Sequence, residues 1–167
     1  MEIKSFRIKN YRSIKDSGVC YLSGDNITIL AGMNESGKTA ILEALEDFNV
    51  DKAIREEAIP IQNPDAIPEI AVTFEIDKET LNNISDMINF KIKTTKSSNV
   101  EIIKKYPGEY FLSNESIRSL GIKDEQLTKK SKKKSQSITG EFWLSTRIFP
   151  DLVEYCQNQI LTTSRIF

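Results

Sequence analysis

Residues 32–39 read Gly32-Met33-Asn34-Glu35-Ser36-Gly37-Lys38-Thr39, a Gly-x-x-x-x-Gly-Lys-Thr run between the apolar stretch Ile27-Thr28-Ile29-Leu30-Ala31 and an amphipathic stretch that begins at Lys38. The order of strand pattern, glycine-rich turn and helix pattern makes this a phosphate-binding loop. Successive backbone N–H groups in such a turn converge on one point, and the following helix directs the positive end of its dipole there. Gly32, Glu35, Ser36 and Gly37 line that point. Lys38 supplies a point charge for the β and γ phosphates, and the Thr39 hydroxyl is the expected protein ligand of a phosphate-bound magnesium.

Working outward, Ile27 to Ala31 is nearly continuous in its apolar character, as expected of a strand buried on both faces in mid-sheet. Beyond the loop, Ile41, Leu42, Ala44, Leu45 and Phe48 fall on one helical face and Glu43, Glu46 and Asp47 on the other, predicting a helix from Lys38 to Phe48. Before the loop, Ile3, Phe6 and Ile8 mark a strand over residues 2–9. Val19 to Leu22 mark a second, with Lys15-Asp16-Ser17-Gly18 as the turn between them.

Residues 50–68 hold Pro60, Pro64 and Pro68 and no sustained period, so they read as an irregular connection. Glu69 to Ile76 alternates cleanly, which predicts a half-exposed antiparallel strand, and Asp77 then caps a helix that buries Leu81, Ile84 and Ile88 and ends near Asn89. Phe90 to Thr94 and Val100 to Tyr106 pattern as hairpin arms. Tyr110 to Leu112 adds a short strand after the Pro107-Gly108 turn, and a short helix from Ser113 stops at Gly121. Lys129, Lys130, Lys132, Lys133 and Lys134 form a charge block without interleaved aromatics or arginines, read as a solvated linker. Pro150 to Leu161 patterns as a last helix. The expected organisation is a phosphate-loop lobe over 1–112, a polar, Lys-rich linker over 113–138 and a helical segment over 139–167 that belongs to a larger domain.

The chain's 167 residues are enough for one ordinary core. Its 23 Lys and Arg against 24 Asp and Glu, net charge -1, give no bulk electrostatic argument for nucleic acid or membrane. Cys20 and Cys156 have no Cys-x-x-Cys spacing and the chain has no histidine, which argues against zinc and histidine-based catalysis. No stretch of about 18 apolar residues occurs. Met1-Glu2-Ile3-Lys4 does not open a signal peptide, so a cytoplasmic setting with reduced cysteines is expected.

Hydrolysis requires, beyond the loop, an apolar strand ending in an acid that holds magnesium and polarises water. The nearest stretch, Ala71 to Asp77, alternates with polar residues and reads instead as a half-exposed strand with a helix cap. Nor is there a Leu-Ser-Gly-Gly-Gln-like segment. No catalytic residue is therefore assigned.

Ile8-Lys9-Asn10-Tyr11-Arg12-Ser13-Ile14, the loop Gly32 to Thr39, and Ile41-Leu42-Glu43-Ala44-Leu45 together resemble the N-terminal lobe of the ABC-type chromosomal ATPases. That group includes RecF, the SMC proteins, the coiled-coil double-strand-break repair ATPases, and the OLD-family and related AAA-annotated ATPases of bacterial defence. The resemblance covers about the first 48 residues, with a less specific match at Glu69 to Asp77. It implies an α/β P-loop NTPase lobe with a mixed sheet and an antiparallel side sheet, binding ATP and Mg2+. It places Arg12 beside the nucleotide and Asn34 on phosphate, and leaves Gln62 and Gln136 unassigned as candidates for a magnesium-contacting glutamine.

In such families a C-terminal lobe far along the chain supplies the acidic strand and the signature segment, and ATP is closed between two subunits. The resemblance therefore implies a portion of a longer protein, a homodimer or a partner chain supplying the signature, work on DNA in repair or phage defence, and little or no turnover by this chain alone. Two other readings stay open: a self-contained P-loop kinase or GTPase, disfavoured by the lack of an Asn-Lys-x-Asp segment, and a non-catalytic nucleotide-sensing interaction module.

Overall fold

The computed structural model describes residues 2–25, 27–49, 52–87 and 97–121. In chain order these are β1 (Glu2–Tyr11), β2 (Ile14–Asp16), β3 (Cys20–Tyr21), α1 (Lys38–Asp47), a short 3-10 turn (Glu56–Ala58), β4 (Glu69–Ile76), α2 (Lys78–Met87), β5 (Ser98–Lys105), β6 (Glu109–Leu112) and α3 (Asn114–Ser119). The strands form one sheet in the order β2-β1-β4-β5-β6, with β3 also on β1, and every described pairing is antiparallel.

Period-2 alternation sets the two faces. Ile70, Val72, Phe74 and Ile76 of β4 lie at no more than 2% exposure and face the core with Phe6, Ile8, Val100 and Ile102 from the flanking strands. Each such side chain contributes about 1.5–3 kcal/mol by burial. On β1 the apolar residues Ile3, Phe6 and Ile8 are spaced three and then two apart, which a regular strand cannot place on one face. A register shift between Ile3 and Ser5 supplies the missing residue and restores the alternation.

The opposite face carries Ala71, Ile103 and Phe111 in one row and is otherwise polar and self-paired. Lys4 meets Glu75 at 2.7 Å and Glu2 at 2.9 Å, Arg7 meets Asp16 at 2.5 Å, and Lys9 at 3.0 Å and Lys105 at 3.5 Å share Glu69.

Helix α1 packs on the core face through Ala40, Ala44, Asp47 and Phe48, offsets of 4, 7 and 8 that make one helical stripe. This differs from the expected face, because Leu42 is 45% exposed while Asp47 is 2% exposed. Asp77 caps α2 as expected: its carboxylate accepts the Thr80 N–H and the Thr80 hydroxyl, each at 2.9 Å. Ser113 caps α3, and Ile117 and Leu120 join the core, so the packed unit continues past Leu112.

Two strand expectations are corrected. The chain turns back at Arg12-Ser13, so Tyr11 pairs with Ile14, and the strand falls at Ile14–Asp16 where a turn was read; Val19 to Leu22 yields only Cys20–Tyr21. Ile27 to Ala31 forms no strand. Ile27 and Ile29 are 67% and 83% exposed, because no described strand runs beside the segment to take up its N–H and C=O groups. The arm at 90–94, the lysine block, Gln136, Cys156 and the Pro150 to Leu161 pattern lie outside the described residues.

Candidate functional site

The Gly32 to Gly37 turn runs from the end of the apolar segment into the N-terminus of α1, and its backbone meets the demands of an anion cradle. Glu35 and Gly37 take positive φ, 66° and 90°, the left-handed backbone found in anion-binding turns, while the Ser36 N–H donates within the turn to Met33 O at 3.3 Å. A Cβ on Gly32 would stand 2.8 Å from Ser36 Oγ, so this position admits no side chain without displacing that hydroxyl. Gly37 is the helix cap, and it gives α1 neither a side-chain cap nor an acid in the first turn. The first amides and the positive dipole end are therefore left for an exogenous anion.

Lys38 folds back over this turn. Its Nζ donates to Gly32 O at 2.8 Å and Met33 O at 2.7 Å, with Ser36 Oγ at 3.5 Å. The ammonium thus waits at the loop mouth on carbonyls that phosphate oxygens can replace. Asn34, Glu35, Ser36 and Thr39 are all exposed around it. Among the described residues no group of three or more Asp, Glu or Cys side chains is placed to hold a metal. Thr39, exposed and next along the helix from Lys38, has the hydroxyl that could take one position on a phosphate-bound magnesium here.

Arg12, the eighth candidate, is only partly brought to the loop. It sits in the two-residue β1–β2 turn at φ 53°, unusual for a side chain of its size. Its backbone N–H reaches Ala58 O at 2.6 Å, and its guanidinium pairs with Glu43 Oε2 at 3.0 Å. Glu43 lies one helical turn from Thr39 on the same face of α1, roughly 6 Å along the axis. Arg12 Nε is enclosed without a hydrogen-bond acceptor. Gln62 is exposed on the irregular connection.

Sequence reading missed the polar cluster at the other end of α1. The Asp47 carboxylate accepts from the Tyr11 hydroxyl at 2.7 Å and from Arg55 Nε at 2.9 Å and Nη2 at 2.7 Å. Burial opposes its ionisation, but Arg55 and Tyr11 outweigh burial and hold the carboxyl below its usual range. Burial, reinforced by Asp47, pushes the Tyr11 phenol up, and Asp47 likewise holds Arg55 firmly protonated. Lys104, 0% exposed, enters from β5, and burial pulls its ammonium down to about 8 against the opposing charge of Asp47. The signal for Asp47 was the offset of seven from Ala40, which places an acid on the buried stripe.

The family profile described as AAA ATPase domain matches residues 1–165. The chain belongs to this family. An uncharacterised protein of Methanocaldococcus jannaschii is 39% identical over 62 residues, 37% of this chain and 18% of the relative, so the chain spans less than a fifth of that relative's length. A solved structure described as "Structural biochemistry of ATP-driven dimerization and DNA stimulated activation of SMC ATPases" is similar at TM-score 0.48 and 16% identity, over 97% of this chain and 98% of that one. Among the described residues of this AAA ATPase domain, no helix is long and apolar enough to cross a membrane.

Proposed function

We propose that this AAA ATPase domain binds ATP with Mg2+ at Gly32 to Thr39 and serves as the nucleotide-binding lobe of an ABC-type ATPase. The observation that carries the reading is the uncapped N-terminus of α1, joined to a turn with two left-handed residues and to Lys38 poised over it. That arrangement offers converging amides, a dipole and a mobile cation to a polyphosphate, and nothing in it suits a neutral ligand. Gly32, Asn34, Glu35, Ser36 and Gly37 cradle the phosphates, Lys38 neutralises them, and Thr39 holds the metal.

Arg12 belongs to the site in the bound state: it leaves Glu43 and turns along α1 toward the nucleotide. Among the described residues no acid ends an apolar strand beside the loop to activate water, so turnover awaits residues from a further lobe and a signature segment from a second copy or partner. ATP-driven closure between two such subunits, coupled to DNA repair, processing or phage defence, is the activity proposed for the intact protein. The described lobe, which runs through α3, is the first of its parts, with the polar, Lys-rich stretch that follows as linker and 139–167 as the entry to the rest.

Calorimetric titration of ATP and GTP with Mg2+ tests this. ATP binding that is lost in Lys38→Ala, with unchanged circular dichroism, is the expected result. Equal affinity in wild type and Lys38→Ala refutes the site, preference for GTP favours a GTPase, and steady-state hydrolysis that vanishes in Lys38→Ala refutes the dependence on a further lobe.

A further inference from the structure

The phosphate loop and the carboxyl end of α1 are opposite ends of one element, ten residues and therefore about 15 Å long. The loop end has no side-chain cap. The other end is held by polar groups from four other segments: Tyr11 of β1, Arg55 of the connection, Lys104 of β5 and Tyr110 of β6.

Lys104 makes the most concentrated of these contacts. It follows Val100 and Ile102 on the core face of β5, where an apolar side chain would pack without cost, yet the position holds an ammonium at 0% exposure. All three of its donors are used, on Asp47 O at 2.6 Å, Asn49 O at 2.6 Å and Lys52 O at 2.5 Å. Its Nζ lies 4.9 Å from the Tyr110 ring centre, and the Tyr110 hydroxyl donates to Phe48 O at 2.6 Å. Asp47 O and Phe48 O close the helix, groups with no partner inside it at the negative end of its dipole, while Asn49 O and Lys52 O belong to the chain that leaves it. Enclosing a charge this completely is unfavourable unless its hydrogen bonds replace water. The site therefore requires a three-pronged cation rather than bulk.

We propose that Lys104 is a positioning residue for the nucleotide site. By clamping the carboxyl end of α1 and the chain that leaves it to the sheet, it fixes the helix axis and so the amides and Lys38 at the far end. With a lever of about 15 Å, a tilt of about 4° moves the loop by about 1 Å, enough to spoil converging hydrogen bonds. The inference rests on the reading of Gly32 to Thr39 as a nucleotide loop.

Asp47 and the Tyr110 ring face Lys104, and around Asp47 stand Tyr11 and Arg55, the latter also paired with Glu46. Asp47 and Glu46 are held low, and Arg55 and Tyr11 high, so none of these four changes charge between pH 7 and pH 9. Lys104 loses a donor within that range.

The experiment uses the 167-residue chain with ATP and Mg2+ as probe, and measures affinity from pH 7 to pH 9 together with amide exchange of the nucleotide-free protein. In Lys104→Met, affinity at pH 7 is expected to fall about tenfold, and α1 amides to exchange faster while those of β4 hold. Wild-type affinity is expected to decline toward pH 9 more steeply than that of Lys104→Met. Wild-type affinity and wild-type α1 exchange in Lys104→Met overturn the proposal. If Lys104→Met does not fold, Tyr110→Phe decides: faster α1 exchange with weaker ATP binding supports the clamp, and no change in either overturns it. If wild type binds no ATP, the nucleotide reading fails, and unchanged α1 exchange in Lys104→Met removes the clamp as well.

Discussion

Replacing Asp47 with alanine removes the acceptor shared by a buried phenol and a half-buried guanidinium. Tyr11 is 0% exposed and its hydroxyl has Asp47 as its acceptor, so the substitution strands a buried donor at a cost of about 1–3 kcal/mol. Arg55 retains Glu46 at 3.2 Å and Glu43 at 3.6 Å, and its side chain is 27% exposed, so its share is discounted to about 1 kcal/mol. The expected loss is about 3 kcal/mol, a drop in Tm of roughly 6–12 °C for a chain of this size.

Thermal and urea unfolding followed by circular dichroism measure it, with Asp65→Ala on the exposed connection as control. Tyr11→Phe alone should cost about 1 kcal/mol, and the double variant less than the sum of the two. A loss in Asp47→Ala within about 0.5 kcal/mol of the control refutes the reasoning. The pH dependence has a fixed sign: the folded carboxyl titrates below its unfolded value of 3.8, so its contribution is fully present above that pH. The gap between wild type and Asp47→Ala should close as pH falls through the lower, folded value.

Gly37→Ala places a side chain at φ 90° and should destabilise the chain by about 1–2 kcal/mol while weakening ATP more than it weakens the fold, read by titration beside thermal unfolding. Asp77→Ala removes the α2 cap at a cost of about 1 kcal/mol. Backbone and hydroxyl bonds from Thr80 hold Asp77 down to about 2, so that contribution should be intact above 3.8 and disappear toward pH 2, as acid titration of wild type against variant will report. Lys38→Ala should leave the unfolding midpoint within about 0.5 kcal/mol of wild type, because the Lys38 amine touches only exposed loop carbonyls.

Local pattern carried β4, α1 and the turn from Gly32 to Gly37, because each is specified by residues adjacent in sequence: alternation from Glu69 to Ile76, a helical stripe, and glycines at the turn. It failed where the outcome depends on distant partners. Ile27 to Ala31 has strand composition, but a strand exists only beside another strand. Ile14–Asp16 has little strand composition and pairs because β1 extends to Tyr11 and the chain reverses at Arg12. Asp47 was read on the polar face of its helix and Lys104 only as part of a hairpin arm; 57 residues separate them, and only the fold shows that they belong to one enclosed cluster. Arg12 was singled out by resemblance, whereas its ion pair with Glu43 was not legible at all.

The ion pairs across the open face of the sheet bear on how the protein meets a polyanion. Lys4, Arg7, Lys9 and Lys105 are each matched by a carboxylate of the same face, on Glu2, Glu75, Asp16 or Glu69. Opposite charges a few ångströms apart cancel beyond about one Debye length, about 8 Å at physiological ionic strength. A nucleic acid approaching this face would meet no net attraction, release few counterions, and have to break existing pairs to form new ones. For all its lysines and arginines, this face of the sheet is electrically silent.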